Sequence, residues 1–555
     1  MHAAHERAEI SYQRARAIAR AYGLTAQDIV FLKSKFWALH ADPICSMDGA
    51  AATLLTTQFN LVAGTLAPFA FQRPELEPLL QQVLDFEVSA HFLLTEIGHD
   101  LDSPNLQTTA TLLSSGEFDL HTPSPQAAKW TSPTYPVGCL PRVGIVIAQL
   151  IIAGENFGVR PFVVALGDGR KMCSGVQLRS VPARNGAPNA DHSMISFTNV
   201  RLPFQALLGT LDMPRNLRHN FLSVIWRVGV GSLTSSNLAI AAFRASVYAA
   251  GRYSLRRKVV ADNGKLKPVM AFRPQQIPVM HALAQAAVLG AFGGLAARQF
   301  INPRVDSRVK HGVAATLKTI MTLHCQDSLH VLARRCNSQG LFEYNQILEA
   351  QLEMRGTALA EGDVLALCIR LASELLTGRY ELPSPSDPSS FLARHEAGLF
   401  DEARAVIIQL DADKTSTSCE PFNRLVLPLC QPLIEAIGHR MAYEAAVRAN
   451  VDSDLIALYV AGALKHDPSW YVEHLGITRR QIAEMEDRAL GVAVPRVEGL
   501  LEGMGMRKYC TTPIVSDEAW EGFIEGLEVF EGDAAVSVIP GTHQAAASES
   551  PFSRL

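Results

Sequence analysis

Only one stretch of this 555-residue chain reads as β structure. Between residues 91 and 209, short runs rich in Val, Ile and Phe alternate with turn clusters such as Gly154-Glu155-Asn156, Gly167-Asp168-Gly169 and Arg184-Asn185-Gly186-Ala187-Pro188. Before and after it the apolar residues recur at helical spacing. A small β module set between two long helical regions is an uncommon layout, and it limits the folds open to the chain more than any other feature.

The flanking patterns divide the rest. Residues 14–22 and 27–40 carry apolar residues at helical spacing, with Gly23 where a C-cap belongs. Residues 50–71 form a long apolar segment expected to be buried on most sides. Beyond the β module, Leu238, Ala241, Ala242, Ala245, Tyr248 and Ala249 make one helical stripe, and Leu283, Ala287, Phe292 and Leu295 another, which predicts a bundle. Leu382-Pro383-Ser384-Pro385-Ser386-Asp387-Pro388 is a breaker cluster, and Leu433, Ile437, Met441 and Ala445 repeat every fourth residue after Pro432. The expected architecture is mainly α with a central β-barrel-like domain. It runs as an N-terminal α domain (1–90, shortened), a middle β domain (91–210), a four-helix bundle domain (211–380), a linker (381–395), an extra C-terminal helical domain (396–540) and a tail (541–555).

Composition excludes several function classes. Nearly half of the residues are apolar (48%) and net charge is −4, so large cores can form and no basic excess points to nucleic acid or an anionic membrane surface. No apolar run reaches the ~18 residues of a membrane span, and the N-terminus lacks a signal-peptide pattern. The nine cysteines include no Cys-x-x-Cys pair, the pattern of reduced thiols in an intracellular protein, and no histidine pair has metal-ligand spacing. Gly229-Val230-Gly231 is followed by Ser-Leu-Thr, an incomplete dinucleotide fingerprint. The chain ends Ser553-Arg554-Leu555, a variant of the Ser-Lys-Leu peroxisomal address, so a peroxisomal import receptor is an expected partner and the peroxisome the expected location.

The borders of the β module carry a resemblance. Thr95-Glu96-Ile97-Gly98 at its opening and Asn199-Val200-Arg201-Leu202-Pro203 at its close are similar to the middle domain of the acyl-CoA dehydrogenase and acyl-CoA oxidase flavoproteins. The likeness covers about residues 45–375 well and 395–535 less specifically; the added C-terminal region favours the acyl-CoA oxidase-like branch. It implies FAD as cofactor, an acyl-CoA substrate and O2 as electron acceptor. Thr95 then faces the flavin pyrimidine edge. Trp130 supplies a flat apolar wall for the ring, and Thr131 follows as a hydroxyl near it. The family's Trp-Pro-Gly-Gly type loop is replaced by Thr131-Ser132-Pro133-Thr134-Tyr135-Pro136. Arg257, within Tyr253-Ser254-Leu255-Arg256-Arg257-Lys258, reaches the pyrophosphate of a flavin bound mainly by a neighbouring subunit, and Gln275 contributes to the same pocket. Cys336-Asn337-Ser338-Gln339-Gly340 stands where the family has a Gly-Gly-x-Gly turn, of which only Gly340 is kept; Asn and Ser tolerate unusual φ. The Arg257 and Gly340 roles require a homodimer.

Counting forward from Cys336, Glu361 falls at the family's catalytic glutamate. Glu361, Val364, Cys368, Leu371 and Leu375 are spaced 3, 4, 3 and 4, which predicts one shared helical face and a carboxylate on its apolar side. The resemblance implies α,β-desaturation of an acyl thioester, with Glu361 taking the Cα proton. The developing enolate is stabilised by a flavin ribityl hydroxyl and by the backbone N–H of Glu361. Three alternatives stay open: a dehydrogenase-like enzyme, a flavin monooxygenase of specialised metabolism, and a degenerate member that binds without turnover.

Overall fold

The computed structural model describes residues 4–534 except 101, 132–139, 183–185, 187–191, 262–263 and 413–419. The Ser553-Arg554-Leu555 tail and the 132–136 loop therefore lie outside the described residues. The described cysteines are all free.

The chain opens with helix α1 (Ala4–Tyr22), which stops at Gly23 with φ +52°. The expected single helix over 27–40 is in fact two. Leu32 takes a left-handed φ of +48° and separates Ala26–Val30 from α2 (Ser34–Ala41). Residues 49–70 form one rod, α3, in which the central Thr56–Ala63 turns are π-helical. That widened stretch aims the buried Gln58 amide. Gln58 Nε2 donates to Val83 O and Val88 O (both 2.8 Å), and its Oε1 accepts from the Ala90 N–H (2.8 Å), which ties the rod to the first strand.

The β module begins slightly earlier than the sequence pattern suggests. Strands β1 (Ser89–Leu93), β2 (Thr109–Leu112), β3 (Phe118–His121), β5 (Arg142–Ile152), β6 (Glu155–Gly167) and β9 (Val200–Leu202) form one curled sheet. Both β1 and β2 run parallel to β5, while β6 is antiparallel on its other edge. A second sheet holds β4 (Lys129–Thr131), β8 (Ser193–Phe197) and β7 (Val176–Ser180) in antiparallel order. Strand β5 reads as a continuous apolar run because both of its faces are covered. Val143, Ile145 and Ile147 point into the large helical core; Val146, Ala148 and Leu150 point into the separate core of the β module. Two cores meet at this strand.

The bundle is built from α4 (Trp226–Arg256), α5 (Arg273–Ile301) and α6 (Ser307–Arg335), packed pairwise, then α7 (Ile347–Leu359) and α8 (Val364–Leu376). Between α4 and α5 the chain makes a small antiparallel hairpin, β10 (Lys258–Val260) with β11 (Leu266–Pro268), inside the region expected to be helical throughout. Among the described residues α5 is long and apolar enough to cross a membrane, but 67% of its apolar window is buried by its neighbours, as befits the central helix of a bundle.

Helix α9 (Phe391–Ala412) starts inside the 381–395 stretch read as linker. Helix α10 (Leu427–Arg448) runs through Pro432 instead of starting after it, and it buries Leu433, Ile437, Met441 and Ala445 as their spacing requires. Those side chains join the bundle core directly, against α5, α6 and α8. Among the described residues, a small cluster around Leu464, Trp470, Tyr471 and Ile482 forms a separate core in this region.

Candidate active site

The sequence-derived residues fall into two groups and one isolated carboxylate. In the first group, Thr95 follows β1 and its carbonyl accepts from the Trp130 N–H (2.9 Å), so the turn after β1 and strand β4 lie side by side. Thr131 is buried in β4, while Trp130 is 39% exposed, a large apolar face turned outward. Between them, Lys129 and Glu96 form a fully buried ion pair at 3.0 Å. The Lys129 ammonium also donates to Leu94 O (3.1 Å) and Ile147 O (2.8 Å), which clamps β4 to β1 and β5. Glu96 accepts from the N–H groups of Gln107 (2.7 Å) and Thr108 (2.9 Å) and from the Thr108 hydroxyl (2.6 Å). Burial pushes the Glu96 carboxyl up, but Lys129 and these donors outweigh it and the net shift is downward.

In the second group, Tyr253 to Arg256 close α4 instead of following it, and Arg257 is its exposed C-cap. Gln275, at the start of α5, donates to the Ser254 hydroxyl (2.9 Å) and to Arg335 O (3.1 Å). It therefore draws together the ends of α4 and α6 and the start of α5. Asn337 adopts φ +56°, as its residue type permits. A Cβ on Gly340 would lie 1.9 Å from Ala333 O, so the chain's own packing already demands glycine there.

Glu361 stands alone. It is not on the face of α8 as its spacing suggested; α8 begins at Val364, capped by the Asp363 side chain. Glu361 sits two residues before that cap with φ +59°, followed by Gly362 at φ +98°. A non-glycine residue held left-handed is costly by about 1–3 kcal/mol and needs surroundings that fix it. Those surroundings are buried side chains that sequence reasoning missed. Lys318 of α6 donates to the carbonyls of Ala360 and Gly362 (2.5 Å to the latter), one on each side of Glu361. Ser232 of α4 donates to the carbonyl of Glu361 itself (3.0 Å). The carboxylate packs on Gly231, where a Cβ would approach its Oε2 to 2.2 Å. Gly231 of the Gly229-Val230-Gly231 run thus belongs to a seat for this carboxylate, while Gly229 packs against His311. Arg227, fully buried one turn earlier, donates to Asn60 O (2.7 Å) and Ile29 O (3.2 Å), and its Nη2 has no hydrogen-bond partner among the described residues.

Burial pushes the Glu361 carboxyl up to about 7, against the pull of Lys318 and Arg227. Burial likewise lowers Lys318 to about 8 and Arg227 to about 9, each partly offset by Glu361. Among the described residues the Glu361 carboxylate accepts no hydrogen bond, and it retains accessible surface deep in the fold. An ionisable acid held near neutrality, unbonded and rigidly placed, is equipped to take up a proton.

A flavin fits the first two groups. The outward Trp130 face beside Thr95 and Thr131 suits a flat ring with a polar edge, and the exposed Arg257 suits a phosphate. A cavity of about 680 Å³ elsewhere, lined by Asp48, Ala242, Ala245, Phe342, Tyr344 and Glu353 among others, includes none of the residues named for the site.

No family model matches the chain. Acyl-coenzyme A oxidase acox-1.1 of Caenorhabditis elegans is 25% identical over 321 residues, 54% of this chain and 46% of that protein. Peroxisomal acyl-coenzyme A oxidase 3 of Homo sapiens is 24% identical over 326 residues, again 54% and 46%. The matched part thus spans about half the length of these curated relatives. In structure, acyl-CoA oxidase 1 of Yarrowia lipolytica superposes with a TM-score of 0.78 over 94% of this chain and 86% of that one, at 18% identity. The chain has the acyl-CoA oxidase fold. Acyl-CoA oxidase-1 of Caenorhabditis elegans, solved with FAD and ATP, gives a TM-score of 0.72 over 94% and 92%, at 18% identity. The sequence-based expectation of an acyl-CoA oxidase-like chain, mainly helical around a β module, agrees with both kinds of likeness.

Proposed function

We propose that the chain is an FAD-dependent acyl-CoA oxidase acting on an acyl-CoA thioester. The observation that carries this reading is Glu361, a rigidly presented carboxylate with a pKa pushed up to about 7, in a chain with the acyl-CoA oxidase fold. A thioester α-proton is weakly acidic, so its base must be less acidic than free glutamate and shielded from water. Glu361 takes the proton from Cα as the Cα–Cβ double bond forms. FAD, when bound, supplies the acceptor for the hydride that leaves Cβ and hands two electrons on to O2. The balance is acyl-CoA plus O2 giving trans-2-enoyl-CoA plus H2O2. Thr95, Trp130 and Thr131 hold the ring, and Arg257, Gln275 and Gly340 serve the phosphates of a second subunit's cofactor in a homodimer. The human relative's name supports a peroxisomal location.

The purified protein mixed with a saturated acyl-CoA in air tests this. The expected outcome is a yellow protein that bleaches and releases one peroxide per enoyl-CoA. A yellow protein bleached without peroxide indicates a dehydrogenase. The Cys336–Gly340 turn, whose glycine the fold already requires, favours one second reading, a member that has lost its cofactor; a colourless protein that FAD cannot reconstitute would establish it.

A further inference from the structure

The turn that carries Glu361 is held from one side by a lysine that is completely buried. Lys318 lies in the middle of α6 between Leu317 and Thr319, in a stretch where Thr316, Leu317, Ile320 and Met321 are also inaccessible to solvent. Burying an ammonium is costly unless every proton is used and an opposite charge is close. Two of its donors go to the carbonyls of Ala360 and Gly362. These are not the ends of one regular element: Ala360 closes α7, Gly362 precedes the cap of α8, and Glu361 between them has its own carbonyl held by Ser232. Three consecutive carbonyls are thus fixed by two side chains from two bundle helices. This accounts for the left-handed φ of Glu361 and points its side chain onto Gly231.

We propose that Lys318 is a positioning residue for the reaction, pinning the Ala360–Gly362 turn and keeping a positive charge beside the Glu361 carboxylate. The inference rests on the reading of Glu361 as the base. The charged groups that face Glu361 are Lys318 from α6 and Arg227 from α4, while Asp363 on the same turn faces Lys318. Lys318 works through the turn and the field; it touches no reacting atom. With the charge in place the carboxylate ionises at lower pH than burial alone would allow. Without the clamp, two of the three carbonyl contacts that hold the turn left-handed are lost.

Two substitutions separate the two effects. Lys318→Gln keeps an amide donor and removes the charge; Lys318→Arg keeps the charge and alters the clamp. Glu361 is titrated in each by infrared difference spectroscopy of its carboxyl, with Glu361→Gln identifying the band, on protein without substrate. The midpoint is expected to rise by about one pH unit or more in Lys318→Gln and to stay near wild type in Lys318→Arg. Flavin bleaching by acyl-CoA is expected to slow at least tenfold in Lys318→Gln with KM little changed. A Lys318→Gln protein that folds with an unshifted midpoint would overturn the proposal. Should Lys318→Gln not fold, an unshifted bleaching rate and band frequency in both Lys318→Arg and Ser232→Ala would overturn it instead. Wild-type protein that never bleaches defeats the oxidase reading alone, because the carboxyl titration still reports whether Lys318 sets the Glu361 midpoint.

Discussion

Among the described residues two fully buried lysines each lie beside a glutamate, and the two pairs behave in opposite ways. In the β module, Glu96 meets Lys129 in a closed network: each carboxylate oxygen accepts from backbone or side-chain donors, and its pKa falls. In the bundle, Glu361 has Lys318 and Arg227 nearby, but both cations spend their hydrogen bonds on carbonyls and the carboxylate accepts none among the described residues. Its pKa rises to about 7. The same two residue types make a staple in one place and a poised acid in the other. Hydrogen bonding of the charged form, not the presence of a neighbouring cation, decides which.

The largest expected effect separates the two carboxylates by function. Glu361→Gln should slow flavin bleaching by 10³-fold or more while leaving folding and FAD content intact. Lys129→Met should leave the pH midpoint of bleaching unchanged and destabilise the fold by about 3–5 kcal/mol in denaturant titration, since Glu96 would be stranded in the interior. Gly231→Ala sharpens the contrast on the bundle side. Its methyl would meet Glu361 Oε2 at 2.2 Å, so overpacking of about 1–3 kcal/mol should appear with a clear loss of bleaching rate.

The smallest effect is in stability against pH, and its sign differs between the pairs. The folded-state pKa of Glu361 lies above its ordinary 4.5, so the folded protein binds the extra proton between about 4.5 and 7, and this group's contribution to stability falls as pH rises through that window. Glu96 is depressed, so its contribution is present above its ordinary value and is lost as pH falls through the lowered one. Thermal melts of Glu361→Gln should lack the first slope, and melts of Glu96→Gln the second.

Much of this was legible in the chain. The β module announced itself by its runs of Val and Ile, and α10 by its four-residue repeat, because burial on one or two faces leaves a periodic record. Glu361 was found by counting from Cys336, yet the reason for its burial was not helical phase. A left-handed residue two positions before a cap leaves no periodic trace, and its support comes from α4 and α6, 129 and 43 residues away in sequence. The one signal for Lys318 was a lone lysine in the run Ala-Ala-Thr-Leu-Lys-Thr-Ile-Met-Thr-Leu over 314–323, where a surface helix would carry further charges. The hairpin at 258–268 and the break at Leu32 were missed because single strained residues and very short strands fall below any window used to find periodicity.

The central claim is that Glu361 works as a base because it is desolvated, unbonded and held near neutrality. The most direct test is the rate of anaerobic flavin bleaching by a saturated acyl-CoA between pH 5 and 9, in wild type and in Glu361→Gln. The account predicts a wild-type rate that climbs with pH and levels above about 7, and a Glu361→Gln rate that is flat and at least 10³-fold lower. A Glu361→Gln protein that bleaches at the wild-type rate with the same pH profile would contradict it.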